Sequence, residues 1–176
     1  MITEKAVEFE ESLDTCTRDV AILTAMDAGR RAEVDEAVWE SCTAGLTHLW
    51  RRPEVLGHLE RVAALYESVS DCLEPIAWES RRDLLPMLAD MRLYGALVVL
   101  RAGVIERGTR LLERAIEPMA MLARFGDETG EGYGAAVVIA RRLCGAVARG
   151  PEGRTEAQEL VGVLLTAAQA SEEDPA

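Results

Sequence analysis

Apolar residues recur in steps of three and four along nearly the whole chain, and β-branched or aromatic residues nowhere gather into alternating runs. That spacing is the repeat of a helix with one buried face, and it leaves no segment from which to build a sheet. The first helix shows it most regularly. Ile2, Ala6, Phe9, Leu13, Cys16, Val20 and Leu23 form a heptad seam. The opposite face carries Glu4, Glu8, Glu11 and part of Asp14. Such a seam needs one or two partner helices, supplied either by the rest of the chain or by a second copy.

Capping chemistry divides the remainder. Thr3 caps the first helix, which runs to about Ala28 with Gly29 as its stop. A second helix over about Ala32 to Trp50 turns Val34, Val38, Cys42, Leu46 and Leu49 inward. Pro53 opens a third helix that reaches about Cys72, with Leu56, Leu59, Ala63, Tyr66 and Val69 on one face. Pro75 opens a short fourth helix, and Pro86 marks a break after Asp83 because it has no backbone donor. The fifth helix ends at Ala102. Its stretch LYGALVVL is apolar on nearly all sides, which predicts a central position. A sixth helix follows Gly103, and Pro118 inside it predicts a bend or interruption. Gly126 to Gly134 is the one glycine-rich stretch and reads as a mobile connector. The seventh helix carries Tyr133, Val137, Ala140, Cys144 and Val147. The eighth, after Gly150-Pro151, carries Ala157, Leu160, Val161, Leu164, Leu165 and Ala168. The expected fold is therefore all-α, with seven to eight helices made antiparallel by short connectors, as a bundle or a stack of hairpins. Residues 1–170 read as one helical domain and 171–176 as a disordered acidic tail.

The stretch from Tyr94 to Pro118 resembles one tetratricopeptide repeat. Ala96 stands at that family's small position, Gly103 at its inter-helix turn, Gly108 at the small position early in the second helix, and Ala115 at the late one. Leu112 replaces the usual bulky residue, and Pro118 falls about two residues before the family's helix-ending proline. Small residues let two helices approach closely, and glycine permits the tight turn. The match covers about 25 of 176 residues. Ala28-Gly29 and the paired segments AVWES and IAWES echo it without the fixed period of about 34 residues that an array shows. The resemblance implies a protein-interaction module that binds along a concave face.

Charge narrows the partner. The net charge is −12. Acidic surfaces repel nucleic-acid phosphates and anionic lipid, so neither is an expected ligand. The acidic face of the first helix favours a basic protein partner. No run approaches the ~18 apolar residues of a membrane span. The amino-terminal segment has no apolar signal core, which points to a cytoplasmic location. One lysine against 18 arginines, and no asparagine, fits a GC-rich bacterial coding sequence.

No motif names a reaction, and no metal or cofactor is expected. His48 and His58 are separated by Pro53, and Glu54 beside His58 makes only two ligands. The glycine-rich stretch carries Asp127, Glu128 and Glu131 where a phosphate loop needs a lysine and a hydroxyl. Cys16, Cys42, Cys72 and Cys144 form no CxxC pair and read as free thiols on core faces. The expected function is a non-enzymatic adaptor or regulator acting through protein contact. Its partner-binding residues would be Phe9, Leu13, Val20, Leu23, Glu8 and Glu11, with a homodimer through the first helix as one form of that contact. The alternative is a helical bundle that holds a small anionic or apolar ligand against Met87, Met91, Arg92, Tyr94 and Met119.

Overall fold

The computed structural model describes residues 4–125 and 130–170, apart from the side chain of Glu131. Among these residues the regular structure is helical throughout. Helix α1 (Glu4–Thr24) is followed by three short helices, α2 (Ala28–Glu33), α3 (Glu36–Thr43) and α4 (Leu46–Leu49). Five long helices complete the bundle: α5 (Leu59–Glu79), α6 (Leu85–Arg101), α7 (Ile105–Phe125), α8 (Gly130–Ala148) and α9 (Arg154–Ala170). Each long helix packs on its neighbour in sequence, and α1 lies across α3 and α5.

Helix α6 is the centre. Thirteen of its seventeen residues are buried, and it touches α4, α5, α7 and α9. This is the expected consequence of an apolar run with no polar face. Helix α7 is its opposite in pattern, burying only Gly108, Thr109, Leu112, Ala115, Pro118 and Met119. The two meet closely because a Cβ on Gly108 would lie 2.6 Å from the Leu100 side chain. Their connector turns at Gly103, and the α8–α9 connector at Gly150, with φ of 81° and 64°, values that side chains bearing a Cβ rarely adopt.

The α1 seam is real, and it is closed by this chain. Phe9, Leu13, Cys16, Val20 and Leu23 are all buried against the α3 and α5 side. Two side chains cover its Phe9 end, with the Arg52 guanidinium over the Phe9 ring at 5.1 Å and the His58 ring beside it at 5.3 Å. Arg61 reaches from α5 to Glu10 and Asp14, at 3.1 and 2.9 Å. A docking seam built on Phe9, Leu13, Val20 and Leu23 is therefore corrected, because those side chains are already packed inside one chain. The positions Ile2 and Thr3 and the tail 171–176 lie outside the described residues.

Several boundaries move. Helix α1 stops at Thr24, and Asp27 caps α2 by accepting the Arg30 N–H at 2.9 Å, so Gly29 lies inside a helix. The expected helix over 32–50 begins only at Glu36. Val34 stands outside it and Val38 is exposed, while Trp39 and Thr43 take the inward places. It then divides at Ala44-Gly45, although both residues keep helical dihedrals. Gly45 sits over the Cys16 sulfur, where a Cβ would come within 2.6 Å. Pro53 opens a 3-10 turn (Pro53–His58) that leaves Leu56 exposed, and α5 begins after it. Pro75 does not start a helix. It sits within α5, where burial of Ile76 and Ala77 outweighs the missing hydrogen bond. The break before Pro86 is present as a short turn (Arg82–Leu84), and Pro86 occupies the first turn of α6. Pro118 does not end α7, which runs on to Phe125. Gly130, Gly132 and Gly134 belong to α8 rather than to a connector, and 126–129 lie outside the described residues.

Long side chains tie the short helices down. The Tyr66 hydroxyl donates to the Leu46 carbonyl and accepts the Trp50 N–H at 3.2 Å. Arg101 donates to the Trp50 and Arg52 carbonyls at 2.9 and 3.3 Å. Arg81 donates to the Ala32 and Val34 carbonyls at 3.1 and 2.7 Å, fixing the bend between α2 and α3.

Candidate functional site

The residues expected to wall a ligand pocket are dispersed. Met87 and Met91, one turn apart on α6, line the same surface groove. Arg92 points instead between α5 and α7, Tyr94 stacks under Trp50 at 5.8 Å, and Met119 is fully buried on α7. Successive helical residues turn by about 100°, so positions 92 and 94 point to opposite sides of α6, while Met91 and Arg92 share only one small space. The space beside Arg92 measures about 10 Å³, room for a single water. Arg92, Tyr94 and Met119 are therefore not part of the groove that Met87 and Met91 line.

Arg92 is also engaged. Its guanidinium meets Glu74 at 2.5 Å and donates to the Arg114 carbonyl at 2.9 Å, and Arg114 meets Asp71 at 2.9 Å. The hydrogen bond from Arg92 holds the Glu74 carboxyl below the usual carboxylate range. A depressed pKa contributes stability that is present above the unfolded carboxylate range and lost as pH falls through the folded value. Glu74→Gln is therefore expected to destabilise at neutral pH, and the difference from the parent should shrink on acidification. Urea midpoints measured across the acid range check this. A difference that stays constant with pH would remove Glu74 from the linkage.

Two open grooves flank α3 and α4. The first, about 610 Å³, lies between α1 and α3–α4 and is lined by Glu8, Glu11, Asp19, Cys16, Ser41 and Leu49 among others. The second, about 480 Å³, lies between α3–α4 and the start of α6. Glu36, Glu40, Asp83, Asp90, Met87 and Met91 are among its lining residues. Ala44 and His48 line both, so the two grooves adjoin across one low strip. Gly45 lines the first groove, where the Cys16 sulfur leaves no room for a Cβ.

The electrostatics of this face differ from those of the α5–α7 side. There, Glu60, Asp71 and Glu74 are matched by Arg107, Arg114 and Arg92. Along the grooves, Glu8, Glu11, Asp19, Glu36 and Glu40 form no salt bridge with another described residue. Asp83 is held by Arg81 through contacts of 2.7–3.1 Å, which keep its carboxyl below the usual range. Asp90 accepts the Tyr133 hydroxyl at 2.6 Å. Of the expected partner-binding residues, Glu8 and Glu11 thus line the first groove, while Glu36 and Glu40 of α3, which spacing alone did not single out, line the second. Their mark in the sequence was the exposed edge of α3, where Glu36 and Glu40 are four apart.

Burial raises the thiol pKa of Cys16, Cys42, Cys72 and Cys144, so all four are held protonated. Among the described residues no three His, Cys, Asp or Glu side chains are grouped to hold a metal ion. None of the described helices is long and apolar enough to cross a membrane. Compared with protein-family models, with curated proteins and with solved structures, the chain matches none.

Proposed function

We propose that this protein is a non-enzymatic interaction module, an adaptor or regulator, whose acidic grooved face receives a positively charged segment of another protein. One observation carries the reading: five carboxylates without salt-bridge partners among the described residues line two adjoining grooves. Clustered like charge at a surface destabilises the free protein and is relieved by a cation. A concave surface concentrates that field. The same charge disfavours self-association through this face, because a two-fold contact would set the acidic patch against its own copy. The helical hairpin α6–α7, with Ala96 and Ala115 buried and Gly103 at the turn, supports reading the scaffold as tetratricopeptide-like.

The test is local charge reversal in two double variants of equal net charge. A fluorescent oligolysine peptide is titrated into the parent, into Glu8→Lys/Glu40→Lys, and into Glu113→Lys/Glu159→Lys, which alters exposed acids away from the grooves. The groove pair is expected to weaken binding by at least about tenfold, and the distant pair by far less. Equal weakening by both pairs would reduce the effect to overall charge and sink the proposal, as would absence of binding to the parent.

A further inference from the structure

With the α1 seam closed inside one chain, self-association needs another face, and a third open groove supplies one. It measures about 560 Å³ and lies between the α6–α7 and α8–α9 connectors. Its charge sets it apart from the two acidic grooves. The lining holds one acid, Glu106, and one base, Arg154. The α1 groove has three acids and one arginine, and the α6 groove four acids with no arginine or lysine. Glu106 and Arg154 line one groove, yet neither makes a salt bridge with the other or with another described residue. Arg154 stands in the first turn of α9, where a positive charge opposes the helix dipole. The same groove presents Val104, 42% exposed, and exposed Pro151, with Ile105 and Val147 half-buried.

We infer that a second copy of this chain docks here about a two-fold axis, setting Arg154 of each copy against Glu106 of the other. A two-fold interface makes every contact twice, with the roles exchanged. A surface with one unpaired acid and one unpaired base therefore satisfies both with its own copy, and the carboxylate that arrives relieves the cation at the start of α9. The apolar side chains of the two copies are buried in the same step. Net charge selects this place as well. Two copies at −12 each repel over most of their surfaces. Here the lining sums to zero, and the neighbouring exposed positions Glu152 and Arg110 again contribute one of each sign. The groove shares no residue with the acidic grooves. A contact centred on one such groove falls at the small end of interfaces, below about 800 Å² per partner, so dissociation is expected at about 10–100 μM.

Sedimentation of the full chain between about 1 and 500 μM tests this, a span that brackets the expected dissociation. The parent is expected to form dimers and nothing larger, because a two-fold contact closes on itself. Glu106→Arg and Arg154→Glu, each alone, set like charges together and should weaken dimerisation by at least about tenfold. An equimolar mixture of the two single variants should dimerise again, since both contacts then join opposite charges. The double variant Glu106→Arg/Arg154→Glu, equal to the parent in net charge, should do the same. Circular dichroism establishes that each single variant is folded before it is mixed. A parent that stays monomeric at the highest concentration overturns the inference. So do single variants that dimerise like the parent, a mixture of folded variants that stays monomeric, or species that grow beyond the dimer. None of these outcomes touches the acidic face, which the oligolysine titration reads separately.

Discussion

Replacing Trp50 with alanine is expected to cost about 3–5 kcal/mol and to lower the thermal midpoint by roughly 6–20 °C. The side chain is fully buried. Tyr94 stacks on the ring at 5.8 Å, and the Arg51 guanidinium lies over it at 5.2 Å. The backbone at this position is pinned from both sides, by the Tyr66 hydroxyl on its N–H and by Arg101 on its carbonyl. With the main chain held, the surroundings cannot relax into the space, and the cost of a truncation rises with the cavity it leaves. Trp50→Phe keeps a ring against Tyr94 and should cost about 1–2 kcal/mol. Circular dichroism melts of both variants check the pair. A Trp50→Ala midpoint within about 3 °C of the parent would show that the α4 turn is not anchored as described.

Gly153→Ala is expected to destabilise by at least about 3 kcal/mol, at the upper end of overpacking costs. A Cβ there would lie 1.8 Å from the Ala146 carbonyl oxygen and 2.7 Å from its carbon. Those are backbone atoms of α8, so no side-chain rotation clears the clash. The α8–α9 connection must separate instead, exposing apolar residues such as Ala146 and Ala157. Gly145 and Gly162 are the counter-case. Both sit inside helices, are exposed, and have nothing within 4 Å of an added Cβ. Alanine at either should stabilise by about 0.5–1 kcal/mol, through lower unfolded-state entropy and higher helix propensity. Urea denaturation of the three single variants gives three signs and magnitudes. A stable Gly153→Ala protein would mean that the two helices sit farther apart than this packing requires.

The long helices were legible because their cause is local. Phe9, Leu13, Cys16, Val20 and Leu23 repeat at helical spacing, and any bundle must bury that stripe. The same logic placed α6 at the centre. It failed over residues 25–58, where no periodic face is long enough to overrule its surroundings. Trp39 displaced Val38 from the core there because the larger apolar side chain gains more from burial. Pro75 misled for a related reason. Its local preference for a helix start was overridden by the burial of Ile76 and Ala77, which continues the face of α5.

The grooves were not legible, and the reason is distance along the chain. Arg61 meets Asp14 across 47 residues, Arg114 meets Asp71 across 43, and Arg92 turns toward Glu74 from the neighbouring helix. Which acids are matched depends on where helices lie, and five of those left without a salt bridge among the described residues line the grooves. Sequence alone therefore determined an all-α chain, its principal buried faces and its excess of negative charge, since periodicity and composition act within a turn or over the whole. Tertiary structure alone decided that the α1 seam closes inward, that the expected pocket residues disperse, and that Glu8, Glu11, Asp19, Glu36 and Glu40 line adjoining grooves. Those outcomes follow from side-chain reach between packed helices, which no local spacing encodes.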